Sequence, residues 1–207
     1  MRAMAHLTAL HDVGESLALL LQRRRALLAA SGQLGPVPVS EAIVHRPLSE
    51  ISGTTPPSSG LSISCFHLGY SEHAPARSPA RDPATAHGIS LELRYLLASW
   101  SATAAAELAF LGWVMLELSR HPILDRSMLV NPANWDRGES LQIVPEEASA
   151  EELFRIWDAL KQKYRLSALF RVRVVRIGYG ADADGPPVVA SRLQFEHGDV
   201  ELGGATA

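Results

Sequence analysis

Cysteine is almost absent. Cys65 is the only one in 207 residues, so no disulfide can close within the chain and a thiolate zinc site is not expected. One thiol suits a reducing compartment, and the chain reads as cytoplasmic. A surplus of one charge is lacking too. The 19 basic and 22 acidic residues leave a net charge of -3, whereas a surface that grips nucleic-acid phosphates wants a clustered basic excess. The one dense basic run, Arg23-Arg24-Arg25, reads as a solvated helix end, where cations suit the helix dipole. There is no long hydrophobic run. The most apolar segment, Ala102 to Leu118, carries Glu107 and Glu117 and is too short to span a bilayer comfortably. Near the amino terminus His11, Asp12 and Glu15 interrupt what would be the apolar stretch of a signal peptide.

Catalytic motifs are missing in the same way. Gly60-Leu-Ser-Ile-Ser lacks the closing glycine of a nucleophile elbow, and Gly69-Tyr-Ser-Glu-His fails the same test. His67, His73 and His121 are scattered, with no pair of histidines one helical turn apart and a glutamate between them, as a metalloprotease needs. Asp182-Ala-Asp-Gly opens like a calcium loop, but no glutamate stands at the twelfth position and prolines intervene, so it reads as a turn. No glycine motif cradles a phosphate. No catalytic, cofactor-binding or metal-binding residue is therefore assigned, no cofactor is expected, and the chain does not read as an enzyme. His121-Pro122 reads as a helix stop with the imidazole at the helix carboxyl end.

What is present is ordinary core material. At 47% hydrophobic and 20% charged the chain has a globular composition, and its length fits one domain. Leu10, Val13, Leu17, Leu20, Leu21, Leu27 and Leu28 recur at helical spacing, which predicts an amphipathic helix ended by Ser31-Gly32. Residues 36–44 read as a short edge strand and 49–60 as a loop. Leu61, Ile63, Cys65 and His67 alternate as one face of a strand. Ile89, Leu91, Leu93, Tyr95 and Leu97 do the same after a loop over 72–86. The reverse face of that second strand carries Glu92 and Arg94 before turning apolar at Leu96, Ala98 and Trp100.

A second helix is predicted over 103–120 with a stripe of Leu108, Leu111, Met115 and Leu118, and 139–144 reads as a short strand. Ser149-Ala-Glu-Glu opens a third helix as a capping box, with Leu153, Ile156, Trp157 and Leu160 inward. Residues 167–177 form the last strong strand. The expected fold class is α+β, one mostly antiparallel sheet with about three helices packed on one side of it and an extended C-terminal tail. A domain over 1–179 is followed by a turn and tail over 180–207. In the tail Val189, Ser191, Leu193 and Phe195 alternate to one side, as in a segment that adds to a partner's sheet.

Three segments in order resemble one family. They are Leu10-His-Asp-Val-Gly-Glu-Ser-Leu; then Leu93-Arg-Tyr-Leu-Leu-Ala-Ser-Trp with Leu111-Gly and Leu118-Ser-Arg-His-Pro-Ile-Leu; then Glu151-Glu-Leu-Phe-Arg-Ile-Trp-Asp-Ala-Leu leading into Tyr164-Arg-Leu-Ser-Ala-Leu-Phe-Arg-Val-Arg-Val-Val-Arg-Ile. Their order and spacing are similar to the tail-terminator, or cap, proteins of phage-tail-like contractile injection systems. The resemblance implies a non-enzymatic ring of six copies. Such a ring sits on the last layer of the inner tube and sheath, stops both from growing, and assembles in the cytoplasm as part of a particle. Its partners would be further copies of this chain and the tube and sheath proteins, with no membrane. Candidate subunit or partner contacts are Glu92, Arg94, Arg171, Arg173, Val189, Leu193 and Phe195. The competing class is a nucleic-acid-binding module that uses the three arginines with Arg120 and Arg126.

Overall fold

A computed structural model describes residues 5, 7–53, 55–72, 89–135 and 139–177. The order of elements is α1 (Ala9–Ala30), β1 (Ile43–His45), α2 (Leu48–Ile51), β2 (Leu61–Tyr70), β3 (Ile89–Ser99), α3 (Ala104–Arg120), β4 (Ile123–Asp125), β5 (Ser140–Glu146), α4 (Ala150–Ala159) and β6 (Ser167–Ile177). One six-stranded sheet runs β1-β2-β3-β6-β5-β4. Among the described strands only β1 and β2 pair in parallel, and Ala5 adds an isolated parallel bridge to Ile177, so the fold is α+β on a mostly antiparallel sheet. The turn over 182–187 and the tail residues Val189, Leu193 and Phe195 lie outside the described residues.

Helices cover both faces of the sheet, which corrects the one-sided arrangement expected from sequence. On the first face Leu91, Leu93, Tyr95 and Leu97 of β3 pack with Val13, Leu17 and Leu21 of α1 and with Phe110, Val114 and Leu118 of α3. On the second face Leu96, Ala98 and Leu169 meet Ile51 of α2 and Trp157 and Leu160 near α4. The sandwich follows from the sequence of β3, whose both sides turn apolar after Arg94. Ser62 and Ser64, which alternation alone would place toward water, are buried on that second face. Ser62 there accepts a 2.8 Å hydrogen bond from the Trp100 indole.

Two register slips shape the sheet. Leu93 pairs with Val172 and Leu91 with Val175, so Arg173 and Val174 both stand opposite Glu92. This bulge changes the phase of β6: Phe170 and Val172 face the first core before it, Val175 and Ile177 after it. The doubled valine in Arg171-Val-Arg-Val-Val-Arg marks the place. A second slip at Phe66 sets His67 opposite Arg94 and changes the phase of β2 beyond it, while the Phe66 ring keeps to the second face.

Several boundaries differ from expectation. The edge strand predicted over 36–44 is only Ile43–His45, because Pro36 and Pro38 cannot supply ladder N–H groups. The predicted loop over 49–60 overlaps α2, which begins one residue before it. The three-residue β4 was not foreseen. Leu27 is exposed in the last turn of α1.

The largest correction is α3. Its buried face is Phe110, Leu111, Trp113, Val114, Glu117 and Leu118, while Leu108 is 61% and Met115 47% exposed. Of the residues expected to pack between helices and sheet, Trp100, Leu111, Trp157 and Leu160 are buried, and Met115 is not.

Candidate assembly surfaces

The segment Asp12-Val-Gly-Glu-Ser on α1 joins three parts of the fold. Asp12 is buried, and its carboxylate accepts from Asn131 at 2.9 Å and Asn134 at 2.8 Å. Ser16 accepts from the Val130 amide at 2.9 Å. Together they pin the loop after β4 to the helix, holding Asn131 in the left-handed region at φ 50°. Gly14 is required for space: a Cβ there would overlap the His45 ring. Burial pushes the His45 imidazole pKa down, against the opposing influence of Glu15.

Four of the seven expected contact residues come together on the second face of the sheet. Arg94 donates to Glu146 at 2.9 Å and to Glu152 at 2.8 Å. Arg171 donates to Glu146 at 2.6 Å and lies 3.2 Å from Glu92, which is also 3.3 Å from Arg173. Three arginines and three glutamates thus balance across β3, β5, β6 and the first turn of α4. The Arg94 guanidinium also lies 5.0 Å from the centre of the Phe66 ring. Glu152 departs from the capping box. Ser149 does accept from the Glu152 amide at 3.1 Å, but the Glu152 carboxylate goes to Arg94.

Burial raises the Glu146 carboxyl, and hydrogen bonds and charge from Arg94 and Arg171 more than reverse this, leaving it below its ordinary value. A carboxyl with a lowered folded pKa contributes stability above its unfolded value of about 4.5, and that contribution is lost as pH falls through the folded value. Urea unfolding measured from about pH 6 down to about pH 2 should therefore show the wild-type chain weakening more steeply than Glu146→Gln below about pH 4.5. Parallel curves would mean that Glu146 is not held by its arginines.

The basic residues read as a solvated run or a nucleic-acid patch are mostly engaged within the chain. Arg24 pairs at 2.8 Å with the buried Glu117, Arg25 donates to the carbonyls of Pro38 and Glu41, and Arg126 donates to the Pro132 carbonyl. Arg120 stands 3.8 Å from Glu117. His121 ends α3 as expected, its Nδ1 lying 2.8 Å from the Glu117 carbonyl oxygen.

Sequence reasoning missed the surface with the least charge. Along the outside of α3, Ala104, Ala105, Leu108, Gly112, Met115, Leu116 and Ser119 are all exposed, and the one exposed charge on the helix is Arg120 in its last turn. On the other side of the sheet, beside α4, the half-exposed rings of Phe154 and Tyr164 meet at a tilt, 4.7 Å between centroids. The outer edge of β2 is a third feature. β1 pairs it only from Leu61 to Ile63, and no described residue forms a ladder with its outer side from Ser64 to Tyr70. Sequence reasoning also missed that His11, Glu15 and His45 converge. The one-turn spacing of His11 and Glu15 was legible, but the approach of His45 from a strand was not.

Comparison with known proteins agrees with this architecture. The profile of the Pvc16 N-terminal domain family matches residues 12–191. No curated protein matches the chain in sequence. Among solved structures, the tube-terminating cap of the anti-feeding prophage is similar with a TM-score of 0.50 and 16% identity, over 82% of this chain and 60% of that one. The sheath/tube terminator of the PVC extracellular contractile injection system in its extended state gives 0.46 and 19% identity, over 87% and 64%. At these identities the likeness is one of fold, and the match spans less than two thirds of either relative's length. The profile, in contrast, covers nearly all of the described chain, from the Asp12 anchor through β6. The chain belongs to the Pvc16 N-terminal domain family.

Proposed function

We propose that this chain is a structural cap that ends the tube and sheath of a contractile injection particle, acting as a ring of six copies on the last layer. The observation that carries the reading is family membership over residues 12–191. The fold shared with a tube-terminating cap supports it. The ring is assembled in the cytoplasm and stays with the particle. Among the described residues no helix is long and apolar enough to cross a membrane.

The surfaces suit such a ring. A closed ring of more than two copies needs two different patches on each copy, set on opposite sides. The uncharged outer face of α3 lies on one side of the sheet, and the Phe154–Tyr164 pair on the other. We place the α3 face of one copy against the Phe154–Tyr164 pair of the next. The balanced network of Glu92, Arg94, Arg171 and Arg173 stands beside that pair as the polar rim. The tail, with Val189, Leu193 and Phe195, is the arm that engages the sheath by adding a strand.

Particles produced with and without the chain test this reading through their lengths in electron micrographs. The account predicts uniform tubes with the chain, overlong and variable tubes without it, and loose or overlong sheaths when it is truncated after Gly185. Unchanged lengths in its absence would show that the chain caps nothing. A truncated protein that melts much lower would place the tail in the core.

A further inference from the structure

His11 and Glu15 stand one turn apart on α1, and His45 faces them from β1. Glu15 Oε1 lies 3.2 Å from His45 Nδ1 and 3.7 Å from His11 Nε2. One ligand atom from each residue can be chosen so that all lie within 4.8 Å of one another. In four-coordinate zinc, with bonds near 2.0–2.1 Å, neighbouring donor atoms sit about 3.3–3.4 Å apart. The two separations to Glu15 bracket that value, and rotation of the exposed His11 side chain closes the third.

We propose that His11, Glu15 and His45 bind one divalent transition-metal ion of the zinc type, with water completing the coordination. Two imidazole nitrogens and one carboxylate oxygen suit zinc, whereas magnesium and calcium prefer oxygen alone. The one-turn spacing brings His11 and Glu15 to the same face of α1. His45 is held in place from two directions. Its ring fills the space left by the missing side chain of Gly14, and Tyr95 packs edge-on against it at 6.2 Å between centroids. The site grades outward from a His45 side chain that is 12% exposed to a His11 side chain that is 69% exposed, so an ion can enter from solvent. Bound there, the ion joins the first two turns of the first core helix to a three-residue strand at the sheet edge. The α3 face takes no part, so this site stands or falls independently of the ring.

The full chain, freed of any histidine tag and stripped with chelator, should be titrated with zinc by calorimetry, with magnesium as the contrast. Its thermal melting should be followed in parallel. The expected result is one saturable zinc equivalent, a raised melting temperature with zinc, and no response to magnesium. His11→Ala removes an exposed side chain and should leave the apo melting temperature nearly unchanged while weakening zinc binding by more than about tenfold. Absence of saturable zinc binding at micromolar concentration would overturn the proposal. So would zinc binding that His11→Ala leaves intact. If Glu15→Gln lowers the melting temperature in a chain that binds no zinc, the trio is only a hydrogen-bonded bracket between α1 and β1.

Discussion

Replacing Trp157 by alanine should cost the fold roughly 3–5 kcal/mol, the range for emptying a large buried aromatic site. Trp157 is the largest wholly buried side chain on the second face. It meets Trp100 edge-on at 6.0 Å and donates its indole N–H to Ser167 at 3.1 Å. Truncation leaves a cavity between α4 and the sheet and removes one of the two hydrogen bonds of the Ser167 hydroxyl, which still donates to the Arg165 carbonyl. Phe154, on the same helix but 54% exposed, provides the control. Phe154→Ala should cost less than about 1 kcal/mol in the isolated chain. Chemical denaturation reads both values. A Trp157→Ala loss below about 1 kcal/mol would mean that α4 does not pack on the sheet as described.

The second large effect is on assembly with the fold left intact. Leu108→Glu combined with Met115→Glu places two carboxylates on the outer face of α3, where both side chains already meet solvent. Neither change buries a charge in the isolated chain, so its melting temperature should hold within a few degrees. At a ring contact the same carboxylates would be desolvated without partners, and association should fall by at least about a hundredfold. Phe154→Glu on the opposite side should have the same consequence, because each contact uses one patch of each kind. Sedimentation of the variants beside wild type measures this. Full association of the α3 double variant would remove that helix from the contact.

The error on α3 explains why this surface was hard to read in the sequence. In α1 the polar residues leave one clear apolar stripe, and the stripe is the buried one apart from Leu27. In α3 apolar residues run all the way round, so periodicity does not fix which face turns inward. Leu108 and Met115 were placed in the core by spacing alone, whereas Phe110, Trp113 and Val114 occupy it. α3 carries more apolar residues than the core uses, leaving Leu108, Met115 and Leu116 exposed.

The strands were legible where alternation was strict, in the first half of β3 and most of β6, and less so where a bulge changed the phase. Alternation places Glu92, Arg94, Arg171 and Arg173 on strand faces, where β3 and β6 carry them. Their partners Glu146 and Glu152 lie on other elements, and only the register of β5 against β6 brings them within reach. Both sides of β2 are buried from Leu61 to Ser64, where α2 covers the second, and that four-residue helix begins one residue before a stretch whose serines, prolines and glycines read as a loop.

The central claim is that this chain closes a tube as a ring. Native mass measurement and negative-stain images of the purified chain mixed with the tube protein of its particle address it most directly. The account predicts six-membered rings seated at tube ends. Chain that stays strictly monomeric in the presence of tube protein, leaving the tube ends bare, would contradict it.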